Sequence, residues 1–257
     1  MPEVPAALVG RLAAAGCVAA EEEAGELTAA AGGDTALLER LATRRVAGEP
    51  LAWVTGHCRF LGVDVVVDPG VYVPRRQSEP LARRAVALLP ERGRAVDLCT
   101  GSGVLAAALA RRRPAAQVLA TEIDPAACRC ARRNGVAVLE GDLDAPLPAG
   151  LAGRVDVVVA VAPYVPTAAL GTLPRDARDH EPRRALDGGP EGLDVAGRVV
   201  AAAGRLCRPG GHLLLECGGD QHDRLLPALA SAALARVEVL VDEDGDVRGL
   251  VARRRPR

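Results

Sequence analysis

The spacing of apolar positions changes twice along this chain. Leu8, Leu12 and Ala15, and then Leu37, Leu38 and Leu41, recur at helical spacing on either side of Gly32-Gly33-Asp34. Residues 1 to about 50 therefore read as a small helical unit, with Glu21-Glu22-Glu23 as a solvated face or a helix start. Past Gly48-Glu49-Pro50 the period shortens. Val63, Val65 and Val67 alternate with Asp64, Val66 and Asp68, and Asp68-Pro69-Gly70 turns toward Val71-Tyr72-Val73. That pattern predicts a β-hairpin ended by Pro74. From residue 77 onward short apolar runs alternate with helical stretches. Strands are predicted at 95–98, 117–123, 136–139, 155–160, 212–217, 237–241 and 247–252. Helices are predicted near 78–89 and 103–112, from Asp124-Pro125 onward, and near 192–207 and 221–234. The alternation predicts an α/β fold, a doubly wound and mostly parallel sheet with helices on both faces. Three parts are expected: a helical N-terminal unit over 1–60, a β-hairpin linker over 61–76, and the α/β domain over 77–257.

Composition changes this picture little. A chain of 257 residues, 49% hydrophobic and 25% charged, has the balance of a soluble globule with one sizeable domain and an appendage. Its formal net charge of -1 draws it neither to nucleic acid nor to an anionic membrane, and a monomer is expected. The run Arg253-Arg254-Arg255-Pro256-Arg257 is expected to be a frayed, solvated end. Asp242-Glu243-Asp244-Gly245-Asp246 reads as a hairpin turn, because its glycine is out of register for a calcium loop. Seven cysteines without a CxxC pair argue for reduced thiols and no metal centre. With no signal-type N-terminus and no apolar run near the ~20 residues that span a bilayer, the expected compartment is the cytoplasm. Asn134 is the only asparagine in the chain.

The strongest chemical signal is Asp97-Leu98-Cys99-Thr100-Gly101-Ser102-Gly103, a glycine loop between a predicted strand and a predicted helix. Glycines let a ligand approach the backbone, and the helix start presents free N–H groups. Gly101, Gly103 and Ala106 satisfy a dinucleotide fingerprint, with Glu122 nineteen residues beyond Gly103 as a ribose acid. Asp97 favours another ligand. A carboxylate at the strand's end suits a molecule carrying an ammonium and a sulfonium, as S-adenosylmethionine does, and would repel a pyrophosphate. Glu122 could accept from both ribose hydroxyls, and Asp142, in Gly141-Asp142-Leu143, from an adenine amino group. These acids stand at the ends of three successive strands, where open α/β sheets bind ligands.

In this order, and followed by Ala162-Pro163-Tyr164-Val165-Pro166, the motifs resemble the release-factor glutamine methyltransferases and their close paralogues. Upstream, Gly48-Glu49-Pro50-Leu51 and Val73-Pro74-Arg75-Arg76-Gln77-Ser78-Glu79 resemble the family's linker and its P-R-P-E-T-E stretch. Downstream, His180-Glu181-Pro182, Pro209-Gly210-Gly211 and Leu215-Glu216-x-Gly218-x-x-Gln221 also fit. The resemblance implies a helical domain that helps grip a protein substrate, then a seven-stranded sheet with an antiparallel last strand. It implies Asp97, Cys99, Thr100, Gly101, Ser102, Gly103, Glu122, Asp142 and Leu143 as the S-adenosylmethionine site. It also implies Val161, Ala162, Pro163 and Tyr164 as the catalytic segment, which methylates a glutamine nitrogen in the Gly-Gly-Gln motif of a peptide-chain release factor.

That segment departs from the family's N-P-P-Y. The asparagine oxygen and the next backbone carbonyl would accept the two hydrogens of the substrate amide; Val161 carries no acceptor, while Ala162 keeps its carbonyl. Cys99 stands where the family has a glycine, and Arg76-Gln77 stands for Pro-Glu. Three readings therefore remain open: a glutamine N5-methyltransferase, a catalytically impaired homologue that binds the cofactor as a regulatory or scaffold module, and a methyltransferase acting on a stronger nucleophile.

Overall fold

The computed structural model describes residues 4–256. Its N-terminal part is helical, with helices at Ala6–Ala14, Ala20–Ala31 and Thr35–Val46 and a short one at Leu51–Thr55. Asp34 caps the third of these by accepting from the Leu37 N–H at 2.9 Å. The three glutamates occupy the first turn of the second, where they complement the positive end of its dipole. Leu8, Leu12, Leu27, Leu41 and Val54 close a core separate from that of the sheet.

A hairpin follows, β1 (His57–Phe60) against β2 (Val63–Val66), with Phe60 opposite Val63. This corrects the expected register. The alternating valines are the second strand rather than the first, and the tight turn is Leu61-Gly62, with φ of 48° and 73°. Two successive positive φ angles define a primed turn whose twist matches the strands. Leucine is a poor residue for the first position, so the local sequence hid the turn. The chain does turn at Asp68-Pro69-Gly70, where the Val71 N–H donates to Asp68, but Val71–Val73 pairs with no strand among the described residues.

The remaining strands form one sheet: β3 (Arg94–Leu98), β4 (Gln117–Glu122), β5 (Val138–Glu140), β6 (Val155–Ala160), β7 (Cys207–Leu215), β8 (Leu234–Val241) and β9 (Val247–Arg254). Their order is β5-β4-β3-β6-β7-β9-β8, and β9 runs antiparallel to both neighbours, as expected. Helices Glu79–Leu88, Val104–Arg112 and Pro125–Arg133 cover one face; Asp194–Leu206 and Leu226–Ser231 cover the other. Valines of β6 alternate between the two cores, Val157 and Val159 on one side and Val158 and Ala160 on the other. A strand buried on both faces reads as an unbroken apolar run.

Two further expectations are corrected at the C-terminal end. The helix predicted over 221–234 is two short helices, Gln221–Arg224 and Leu226–Ser231. The basic run is not frayed through Arg255: Arg253 pairs with His212, Arg254 with Leu234, and the Arg255 N–H donates to Ala233 at 2.9 Å. Arg257 lies outside the described residues. Strand order reverses between β3 and β6, which opens a crevice at their carboxyl ends.

Candidate active site

That crevice holds a cavity of about 420 Å³, within the range of small-molecule sites. Asp97, next to last in β3, accepts from the Thr100 hydroxyl at 2.5 Å and the Ala106 N–H at 3.1 Å. Burial pushes its carboxyl up to about 7 against the pull of those two donors, and Glu122 adds repulsion. Glu122 closes the opposite side of the glycine loop. One of its oxygens accepts from Gly101 N–H at 2.8 Å, the other from Ile123 and Asp124 N–H at 2.8 and 2.9 Å. This acid therefore braces the loop as well as facing the cavity.

Cys99, Thr100, Gly101, Ser102, Asp142 and Leu143 also line the cavity. Cys99 adopts φ of 58°, the left-handed conformation that favours glycine. Gly103 is the predicted residue that does not line it. A Cβ there would stand 2.8 Å from Val136 and 3.0 Å from Ala131, so Gly103 lets the helix start pack closely. Asp142 pairs with Arg198 at 2.5 Å. Asn134, the only asparagine in the chain, ties the site together. Its carboxamide accepts from Val66 N–H and donates to the Val66 and Ser102 carbonyls, all at 2.8 Å, fastening the hairpin to the glycine loop.

The cavity fits S-adenosylmethionine on its own features. Ser102 Oγ and Thr121 Oγ1 are buried in its wall without a hydrogen-bond partner. Asp97 and Glu122 lie deep, while Arg184 and Arg198 line it from exposed positions. Such an array suits a ligand with hydroxyls, a cationic end and a carboxylate. Ile123, 57% exposed beside Glu122, offers an apolar surface that the sequence reading did not single out.

A second cavity of about 330 Å³ adjoins the first, sharing Tyr72, Arg75, Val161, Pro163 and Ala185 with it. Val161, Ala162, Pro163 and Tyr164 all line this second cavity, so the structure brings the predicted segment to the junction of the two. Tyr164 is held at both ends: Gln77 donates to its hydroxyl at 2.9 Å and Gln221 to its carbonyl at 2.8 Å. Neither glutamine was singled out for this role, although both lie in quoted motifs. Arg75 stacks over Tyr72 at 5.3 Å and pairs with buried Glu181, which also accepts from Val73 N–H. Helix Arg175–His180 lies against the cavity through Asp176 and Ala177.

Residues 95–179 match the family model described as a methyltransferase domain. A release factor glutamine methyltransferase of Moorella thermoacetica is 43% identical over 223 residues, 82% of this chain and 77% of that protein. A 4-amino-L-phenylalanine/4-methylamino-L-phenylalanine methyltransferase of Streptomyces pristinaespiralis is 41% identical over 189 residues, 69% of this chain and 64% of that protein. Among solved structures, a 16S rRNA methyltransferase of T. Thermophilus in complex with AdoMet and guanosine matches with a TM-score of 0.50 at 20% identity, covering 78% of this chain and 45% of that one. This last likeness concerns the fold alone.

Proposed function

The chain belongs to the release factor glutamine methyltransferase family, and from that premise we propose that it methylates the side-chain nitrogen of a glutamine in a peptide-chain release factor. Its cofactor is S-adenosylmethionine, which when bound supplies an electrophilic methyl group. In this reading Asp97 receives the cofactor's ammonium group, Glu122 its ribose hydroxyls, and Asp142 with Leu143 its adenine. The observation that carries the proposal is the segment Val161–Tyr164, which lines the second cavity and, through Val161 and Pro163, the first as well. A glutamine side chain entering the second cavity meets the first there.

An amide nitrogen is a poor nucleophile, so the site's work is orientation and hydrogen-bond acceptance. The Ala162 carbonyl accepts one amide hydrogen; Val161 leaves the other without a partner. The enzyme is a slow catalyst on this substrate for that reason. The N-terminal helices and the hairpin are the part that grips the release factor, and the enzyme acts as a cytoplasmic monomer. Among the described residues no helix is long and apolar enough to cross a membrane.

The test is Val161→Asn. Valine and asparagine are similar in volume, so the change does not overpack the site. Methyl transfer to a Gly-Gly-Gln release factor should rise at least about tenfold, or ~1.4 kcal/mol of transition-state stabilisation, with cofactor affinity unchanged. A mutant as slow as the parent, with both binding the release factor, would sink the role given to position 161. A second reading is favoured by the same valine. A free amine keeps its lone pair and needs no paired acceptors, and the relative from S. pristinaespiralis acts on an aromatic amine. Label transfer to 4-amino-L-phenylalanine, with none to release factor, would establish that reading instead.

A further inference from the structure

Glu216 is a buried acid that lines neither cavity. It follows the last residue of β7, is 1% exposed, and neither of its carboxyl oxygens has a hydrogen-bond partner. Burial pushes its carboxyl above the usual range, while the side chains of Ser78, Tyr164 and Gln77 around it work in the opposite direction. A buried acceptor left unsatisfied is a destabilising feature that asks for a reason.

The sheet register supplies one. Val159 lies opposite Leu214 and Ala160 opposite Leu215, and the Glu216 N–H donates to the Ala160 carbonyl at 3.0 Å. Continuing this register by one residue sets Glu216 beside Val161. Side chains alternate along each strand: Val159 and Leu214 face one core, Ala160 and Leu215 the other, and Val161 packs against the first. Glu216 therefore shares a face with Val161 on the neighbouring strand, about 4.8 Å away backbone to backbone. The other neighbour is Tyr164. Gln77 donates to the Tyr164 hydroxyl at 2.9 Å, which leaves that hydroxyl's own proton for an acceptor.

We propose that Glu216 is a positioning residue for methyl transfer: it accepts a hydrogen bond from the Tyr164 hydroxyl behind the wall of the second cavity, and its place is built to accept an N–H from the side chain at position 161, which Val161 does not supply. The inference rests on the methyl-transfer reading and goes beyond it. An asparagine at 161 would give one N–H to Glu216, which turns its amide oxygen toward the substrate. The oxygen of that asparagine is then aimed by Glu216 and not left to rotate.

Glu216→Leu and Glu216→Gln, each made with Val161 and with Val161→Asn, test this. With Val161 in place, Glu216→Leu should raise the melting temperature by about 2–4 °C, since the cost of burying a carboxyl whose place beside position 161 is unfilled outweighs its bond to Tyr164. With Val161→Asn the same change should lower it, because the new amide loses its acceptor. In the Val161→Asn background, Glu216→Leu should also cut kcat about tenfold with KM for the release factor unchanged, and Glu216→Gln, which keeps an acceptor oxygen, should restore most of it. The chain has only two tyrosines, so ring signals of isotope-labelled tyrosine report Tyr164 directly, and they should move in Glu216→Leu. Equal stability effects in both backgrounds, or an unmoved Tyr164 signal, overturn the proposal. A sign reversal in stability with no methyl transfer by any variant sustains Glu216 as the partner of position 161 and overturns the release factor as substrate.

Discussion

The two adjoining cavities are built on opposite terms. In the first, every acid placed at a strand end is present and engaged: Asp97 holds Thr100 and Ala106, and Glu122 holds three backbone N–H groups. In the second, the side chain shared with the first at the junction is Val161, which has no polar atom, and the carboxyl of Glu216 on the neighbouring strand is left without a full set of partners. The binding half of the site thus rests on charged groups that also hold the loop in shape, so losing one would cost both ligand and fold. The side chain at 161 makes no polar contact with the backbone, so a change there leaves the fold standing. Only one of the two cavities is tied by its polar side chains to the loop that shapes it.

The largest effect should come from Glu122→Ala. Affinity for S-adenosylmethionine should fall by about 1.5–3 kcal/mol, roughly 10- to 150-fold, as expected for hydrogen bonds to a charged acceptor. Titration calorimetry measures this, and unchanged affinity would erase the contrast between the halves. The contrast is sharpened by pH. The Asp97 carboxyl titrates at about 7 in the free protein, well above its ordinary value, and a cationic ligand binds its ionised form. One linked proton with that pKa makes affinity about tenfold weaker at pH 6 than at pH 8, and Asp97→Asn should flatten the dependence. In the ligand-free protein the same raised pKa works the other way. No penalty applies below the ordinary carboxyl value, and stability declines as pH rises through about 7. The smallest effect concerns Cys99. Its left-handed backbone disfavours any side chain, so Cys99→Gly should stabilise the protein by up to about 1 kcal/mol in chemical denaturation. A clear destabilisation would mean that the thiol's packing outweighs the strain.

Much of this was written locally. Strand ends carrying Asp97, Glu122 and Asp142 follow from apolar runs broken by single acids, and the capping pair Asp124-Pro125 starts its helix as read. The hairpin was misplaced because its turn is made by Leu61, a residue type that turn rules discount, whereas Asp68-Pro69-Gly70 looks like a turn and closes no strand pair. Asn134 escaped because its partners, Val66 and Ser102, lie 68 and 32 residues away, and nothing near Asn134 announces them. Gln77 and Glu216 stood in recognised motifs, yet only the folded chain shows what they face: the Tyr164 hydroxyl for Gln77 and, through the sheet register, position 161 for Glu216.

Arg45 has a consequence for where this molecule can be divided. The residue is 9% exposed, and its guanidinium holds Glu23 in a neighbouring helix and the Glu49 carbonyl, and reaches Asp176, 3.8 Å away, on the helix beside the second cavity. Arg175 on that same helix donates back to the Ala47 carbonyl. Severing the chain ahead of the hairpin would strip Asp176 of its cation and Arg175 of its acceptor, loosening one side of the cleft from outside it. The N-terminal helices are thus not a detachable handle that could be traded for another to redirect the enzyme. Any graft that replaces them must also rebuild the footing of the cleft.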